Sequence, residues 1–228
     1  MLASVIIPTF NRPEMLPRCI ESAITQDAED TGMELEVLVV NDGDENPATD
    51  LAVKPFLDDP RVQYHKRPHG GQIAAVNYAT AKVTGHFTVL LNDDDTLCAG
   101  WLAAAGRAFE AKPDLIMVWA DYHVTWDHDS YKRVASGQTD FELTKHVQTI
   151  PSIGGACRTE VLRKEPLDAV LGHNEDWDFQ LRALRHGQGL YLPGLSCFII
   201  FLGDHQKSVK GAKDVWRSSR MIKDRIAS

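Results

Sequence analysis

Phe87-Thr88-Val89-Leu90-Leu91-Asn92-Asp93-Asp94-Asp95 decides the reading of this chain. Phe87 to Leu91 is a short, mostly apolar run that reads as a buried strand. It breaks without a spacer into an amide and three carboxylates. Adjacent carboxylates repel one another, and burying them without a cation is costly. A hard divalent ion that prefers oxygen ligands, Mn²⁺ or Mg²⁺, removes that cost and can bridge to a diphosphate. Taken alone, the cluster fits a solvated acidic turn equally well. Its place at the end of a buried strand favours the metal.

The flanking sequence repeats the pattern. Ser4 to Ile7 is an apolar, β-branched run stopped by Pro8, and Leu35 to Val40 is another, followed by the turn cluster Asn41-Asp42-Gly43-Asp44. Between them, Met15, Leu16, Cys19, Ile20, Ala23 and Ile24 recur at helical spacing after Pro13. Val62 to His65 reads as a short strand, Ile73 to Lys82 and Trp101 to Ala111 as helices, and Leu115 to Ala120 as a strand. Strand alternating with helix predicts an α/β fold with a mostly parallel central sheet and helices on both faces. Such sheets bind ligands at the carboxyl ends of their strands. Thr9 to Asn11, Asp42 to Asp44 and Asp93 to Asp95 all fall there.

Composition narrows the classes. The chain has 228 residues, 43% apolar and 25% charged, with a net charge of −8. That suits one ordinary globular unit. An acidic chain does not draw phosphate backbones from a distance, so bulk nucleic-acid binding is disfavoured. Cys19, Cys98, Cys157 and Cys197 are scattered without metal or redox spacing and read as reduced cytoplasmic thiols. Met1 to Pro8 lacks the features of a signal peptide, and Leu195 to Leu202 is too short for a transmembrane span. A membrane-borne acceptor would be met peripherally, at the surface. No feature assigns an oligomeric state.

Four segments carry a family resemblance. Ser4-Val5-Ile6-Ile7-Pro8-Thr9-Phe10-Asn11-Arg12 resembles the opening strand and loop of family-2 glycosyltransferases with the GT-A fold. Val39-Val40-Asn41-Asp42-Gly43 is similar to their second strand end, and Leu90 to Asp95 to their DxD metal motif. Asn174-Glu175-Asp176-Trp177-Asp178-Phe179-Gln180-Leu181-Arg182 resembles their late ED segment. One such motif is weak, but four in order are specific.

The resemblance implies a single GT-A domain over residues 1–228. About residues 1–98 would bind the nucleotide-sugar, and about 99–228, ending in a C-terminal helix, the acceptor. It implies an inverting transfer from a nucleoside-diphosphate sugar to a hydroxyl acceptor: a saccharide, lipid-linked saccharide, protein or other molecule. Pro8, Thr9, Phe10, Asn11, Arg12, Asp42, Gly43, Gly71, Asn77, Asp93 and Asp94 would contact the donor. An Asp42 carboxylate can accept from an imide N–H, which favours UDP or dTDP; a turn residue bonded to its own backbone is the alternative, and the place of Asp42 directly after a buried strand favours binding. Asp94 and Asp95, ahead of Asp93, would hold the Mn²⁺ or Mg²⁺, with His205 beside them. Gly154, Gly155 and Trp177 would meet the acceptor. Asp176 would be the catalytic base, with Glu175 as competitor.

The sequence departs from the family at Ala75-Val76-Asn77, where relatives often carry Arg in the middle position. The DxD register fits both Asp93-x-Asp95 and Asn92-x-Asp94. Two rival functions would leave different sequences. A nucleotidyltransferase would carry a glycine-rich basic loop after the first strand, unlike Pro8-Thr9-Phe10-Asn11. A non-catalytic binding protein would have no need of the acidic cluster or Asp176. The basic stretch from Lys207 to Arg225 reads as a packed helix rather than a lipid-binding one.

Overall fold

The computed structural model describes residues 1–26, 32–127, 129–151, 155–171, 173–202 and 219–225. Strands β1 (Leu2–Thr9), β2 (Glu34–Asn41), β3 (Val62–Lys66) and β4 (Phe87–Leu90) lie parallel in the order β3-β2-β1-β4. Helices α1 (Leu16–Ile24), α2 (Pro47–Val53) and α3 (Gln72–Thr80) connect them. The second half supplies β5 (Thr96–Leu97), α4 (Trp101–Ala111), β6 (Leu115–Thr125), β7 (Lys132–Val134) and α5 (Phe141–Thr144). It ends with β8 (Ala156–Arg158), α6 (Thr159–Lys164), α7 (Glu175–Ala183) and β9 (Gln188–Phe201). The sheet continues as β8-β6-β9-β5 with β7 on β6. Here β6 and β9 are parallel, while β8, β5 and β7 run antiparallel to their neighbours.

Side chains on a strand alternate between faces, so a strand covered on both sides is apolar at every position. Val5 and Ile7 of β1 and Val37 and Val39 of β2 pack with Leu16, Cys19 and Ile20 of α1 and Trp101, Leu102 and Phe109 of α4. The intervening Ile6, Leu38 and Val40 face Ala75, Val76 and Ala79 of α3, Val161 and Leu162 of α6, and Phe179 of α7. Each large apolar side chain so buried contributes about 1.5–3 kcal/mol. The two helical layers hold the sheet rigid, and every parallel strand ends at the same edge.

Some elements differ from expectation. β1 runs through Pro8 to Thr9, paired with Val40 and Asn41. Pro8 lies past the last β1–β4 pair, Ile6 with Leu90, so it has one strand neighbour, as at a sheet edge where a missing N–H is tolerated. β6 extends five residues past Ala120 into sequence that looked irregular. Its buried Asp121 accepts from the Tyr191 hydroxyl at 2.6 Å, Arg133 Nε at 2.7 Å and the Ser136 amide at 2.9 Å. Residues 219–225 are helical, and Ile222 is buried against Leu171, Trp177 and Leu181, as the packed-helix reading expects for that part. The rest of the basic stretch, 207–218, lies outside the described residues.

Candidate active site

The carboxyl ends of β1, β2 and β4 and the amino end of α7 open on one cavity of about 440 Å³. Pro8, Thr9, Phe10, Arg12, Asp42, Gly71, Asp93, Asp94, Asp95, Glu175 and Asp176 all line it. Sequence separation between these groups exceeds 160 residues, so it is the sheet that brings them together.

The acidic cluster is buried: Asp93, Asp94 and Asp95 are 4%, 7% and 6% exposed. Asp93 accepts from Thr9 Oγ1 at 2.7 Å and from Arg12 Nη1 at 2.9 Å. The same nitrogen reaches Asp94 Oδ2 at 2.7 Å. Among the described residues, Asp95 accepts from amide donors alone, Asn92 Nδ2 at 3.0 Å and the Phe201 backbone at 3.1 Å. Burial, reinforced by the neighbouring Asp94 charge, pushes the Asp95 carboxyl up to about 7. Among the described residues, no three His, Cys, Asp or Glu side chains are gathered as a metal cage. The donor chemistry nonetheless fits a hard cation: three oxygen-ligand side chains face one cavity, and among the described residues Asp95 is met by amide donors alone.

The loops around the cavity are held by a second carboxylate, Asp44 of the turn cluster after β2. Asp44 accepts from the amides of Asn11 at 3.0 Å and Asn46 at 2.7 Å, and from the Thr49 hydroxyl. It thereby fixes Asn11 in a left-handed conformation, with φ of 55°, and so sets where Phe10 and Arg12 stand. Asp42 lines the cavity, and its carboxylate accepts from Gly71 N at 2.6 Å, Gly70 N at 3.2 Å and the Arg67 guanidinium. It braces the His69–Gly71 loop rather than its own turn. At Gly43, with φ of 80°, a Cβ would lie 2.3 Å from the His69 amide, so only glycine lets the two loops touch. The His69 ring stacks at 4.5 Å on Phe10, whose side chain stays exposed at the cavity wall.

Asp176, which lines the same cavity, is the second residue of α7. The side chain is half-buried, its Oδ2 accepting from Gln148 Nε2 at 2.8 Å and its Oδ1 from the Trp177 amide at 2.8 Å. Desolvation, then the adjacent Glu175 charge, raise its carboxyl to about 6. Asp178 points elsewhere and is tied to Arg182 at 2.8 Å and Arg225 at 3.1 Å.

Several expected site residues turn out to be supports. Asn77 does not line the cavity; its amide donates to the Leu167 carbonyl and accepts the Leu167 N–H, pinning a cavity-lining loop. Trp177 is 7% exposed, packs with Leu171, Leu181 and Ile222, and donates Nε1 to the Thr144 carbonyl at 2.7 Å. Gly155 is buried, and a Cβ there would meet Trp101 at 2.9 Å. None of Asn77, Trp177 and Gly155 is among the residues lining the cavity. Gly154 and His205 lie outside the described residues. Gln148, an exposed residue without a motif, gave no sequence signal.

Residues 4–171, well over half the chain, match the profile of glycosyl transferase family 2. The chain belongs to that family. Similar proteins include a chondroitin synthase of Pasteurella multocida, 33% identical over 96 residues, and a GalNAc(5)-diNAcBac-PP-undecaprenol β-1,3-glucosyltransferase of Campylobacter jejuni, 32% identical over 106. These alignments cover 42% and 44% of this chain, which spans 10% and 32% of the two relatives. The fold is that of residues 1–349 of Staphylococcus aureus TarS bound to UDP-GlcNAc, with a TM-score of 0.79 at 18% identity, covering all of this chain and 67% of that TarS fragment. A Pyrobaculum calidifontis mannosyltransferase with GDP-Man and Mn²⁺ aligns at a TM-score of 0.62 and 18% identity, over 89% of this chain and 57% of its own. The mixed sheet with two helical layers is therefore the GT-A architecture. No helix among the described residues is long and apolar enough to cross a membrane.

Proposed function

We propose that this family-2 protein transfers a hexosyl-type sugar from a nucleoside diphosphate, UDP or dTDP in preference, to a hydroxyl acceptor with inversion. One observation carries the reading: the acidic cluster and the Glu175-Asp176 pair, 80 residues apart, face the same cavity. A leaving diphosphate and an attacking hydroxyl need opposite kinds of help, and the two walls supply them.

On the donor wall, Phe10 offers an exposed ring for the base, and Asp42 an acceptor for its imide N–H. Asp93, Asp94 and Asp95 would hold Mn²⁺ or Mg²⁺, which neutralises charge on the leaving diphosphate. On the acceptor wall, Asp176 takes the hydroxyl proton while the acceptor oxygen attacks the anomeric carbon. The bond from that carbon to the diphosphate oxygen breaks on the opposite face, so the configuration inverts. A base must start ionised yet be basic enough to hold a proton, and a carboxyl raised to about 6 meets both demands at pH 7.

Calorimetry with UDP and CDP, each with Mn²⁺, tests the donor side. Asp42→Asn is expected to weaken UDP by about 1.5–3 kcal/mol, the worth of a hydrogen bond to a charged group, while CDP changes little. An amide can donate to the cytosine ring nitrogen where a carboxylate cannot. Equal weakening of both nucleotides would mean that Asp42 only braces the His69–Gly71 loop.

A further inference from the structure

We propose that Arg12 is an exchangeable counter-ion of the acidic cluster: it holds Asp93 and Asp94 until a divalent cation displaces it, and it then turns to the nucleoside diphosphate. The inference rests on the glycosyltransferase reading above and adds a role for a residue assigned there only to the donor loop.

The geometry separates a fixed backbone from a movable side chain. The Arg12 carbonyl accepts from the amides of Met15 and Leu16, both at 3.3 Å, which anchors it at the entry to α1. Asn11, held by Asp44, fixes the preceding turn. The Arg12 side chain is 29% exposed and lines the cavity, so it has room to leave. Its grip on both carboxylates comes from one nitrogen, Nη1, at 2.9 and 2.7 Å. A single nitrogen shared between two carboxylates lacks the fork-on-fork geometry of a lasting arginine–carboxylate pair.

The two carboxylates are 6% and 9% exposed at their side chains, too buried to stand together without a positive charge. A cation and Arg12 therefore meet the same need and compete for the same oxygens. Once displaced, the guanidinium keeps its charge beside a cavity that takes a diphosphate. Phosphate oxygens match its planar donors well. The exchange couples cation and nucleotide: each removes an obstacle to the other, so the two bind with positive cooperativity.

The test is Mn²⁺ binding without nucleotide, followed by the paramagnetic resonance signal of free Mn²⁺, for the parent, Arg12→Gln and Arg12→Lys. Removing the competing charge is expected to tighten Mn²⁺ by about tenfold or more in Arg12→Gln, with Arg12→Lys in between. Melting temperature gives a second readout. Arg12→Gln should melt below the parent without metal, because two buried carboxylates lose their partner, and Mn²⁺ should restore it. UDP should tighten Mn²⁺ in the parent far more than in Arg12→Gln. Equal Mn²⁺ affinity in parent and both variants, with UDP-dependent Mn²⁺ uptake intact, would overturn the role of Arg12 alone. No Mn²⁺ uptake by any of the three, with or without UDP, would overturn the metal assignment and this inference with it.

Discussion

Asp176→Asn is expected to lower turnover by about 10²–10⁴-fold at saturating donor and acceptor, the usual cost of losing a general base. UDP affinity should stay near that of the parent. The substitution preserves shape, and Asp176 is bonded to Gln148 and Trp177 rather than to the donor loops. The residue sits at the amino end of α7, where the helix dipole favours the charged form. Desolvation and Glu175 act the other way and prevail, raising the carboxyl to about 6. The sign for activity follows. Above that value the base is ionised and competent; as pH falls through 6 it becomes protonated and the rate falls with it. At pH 5 only about a tenth of the enzyme would carry an ionised base. Steady-state kinetics from pH 5 to 8 should show this acid limb in the parent. A variant with near-parent turnover, or one that fails to bind donor, would remove Asp176 from the role.

Asp94→Ala combined with Asp95→Ala is expected to abolish Mn²⁺-supported UDP binding, with the fold intact by circular dichroism. The double change leaves Asp93 as the one carboxylate of the cluster, and a single monodentate ligand does not hold a hard divalent ion against water. The fold should tolerate the change because Asp95 is a buried carboxylate that, among the described residues, is met by amide donors alone, and an ionised group there is a cost to the folded state. Asp94 gives up its bond to Arg12, which keeps its bond to Asp93. Calorimetry of UDP with and without Mn²⁺ measures the loss. Metal-supported affinity as strong as the parent's would contradict the assignment of the cluster.

Much of this site was legible because its signals are local. A parallel strand covered on both faces is a continuous apolar run, so the ends of β1, β2 and β4 stand out where polarity begins at Thr9, Asn41 and Asn92. The helix α4 was readable to the residue, since Trp101 to Ala111 spans three turns of consistent pattern. Short elements were not: α2, α5, α6, β5, β7 and β8 run from two to seven residues, too few for a period to register.

Side-chain roles that depend on distant partners were also hidden. Trp177 looks like a ligand-facing aromatic beside the Glu175-Asp176 pair until Thr144, 33 residues away, claims its N–H. Asn77 looks like a donor contact until Leu167, 90 residues away, takes both ends of its amide. The bond from Arg12 to Asp93 spans 81 residues and joins two motifs that were read separately. Asp44 was in view, within the cluster Asn41 to Asp44, but only the fold shows that it, and not Asp42, holds Asn11.

The account stands most directly on donor cleavage. The parent protein, incubated with Mn²⁺ and separately with UDP-, dTDP- and GDP-sugars, should slowly release free nucleoside diphosphate even without acceptor, water taking the acceptor's place. UDP- or dTDP-sugars should be the substrates, and Asp176→Asn should release far less at equal donor occupancy. A protein that binds these donors and releases no diphosphate from any of them, or a variant that releases it as fast as the parent, would contradict the account.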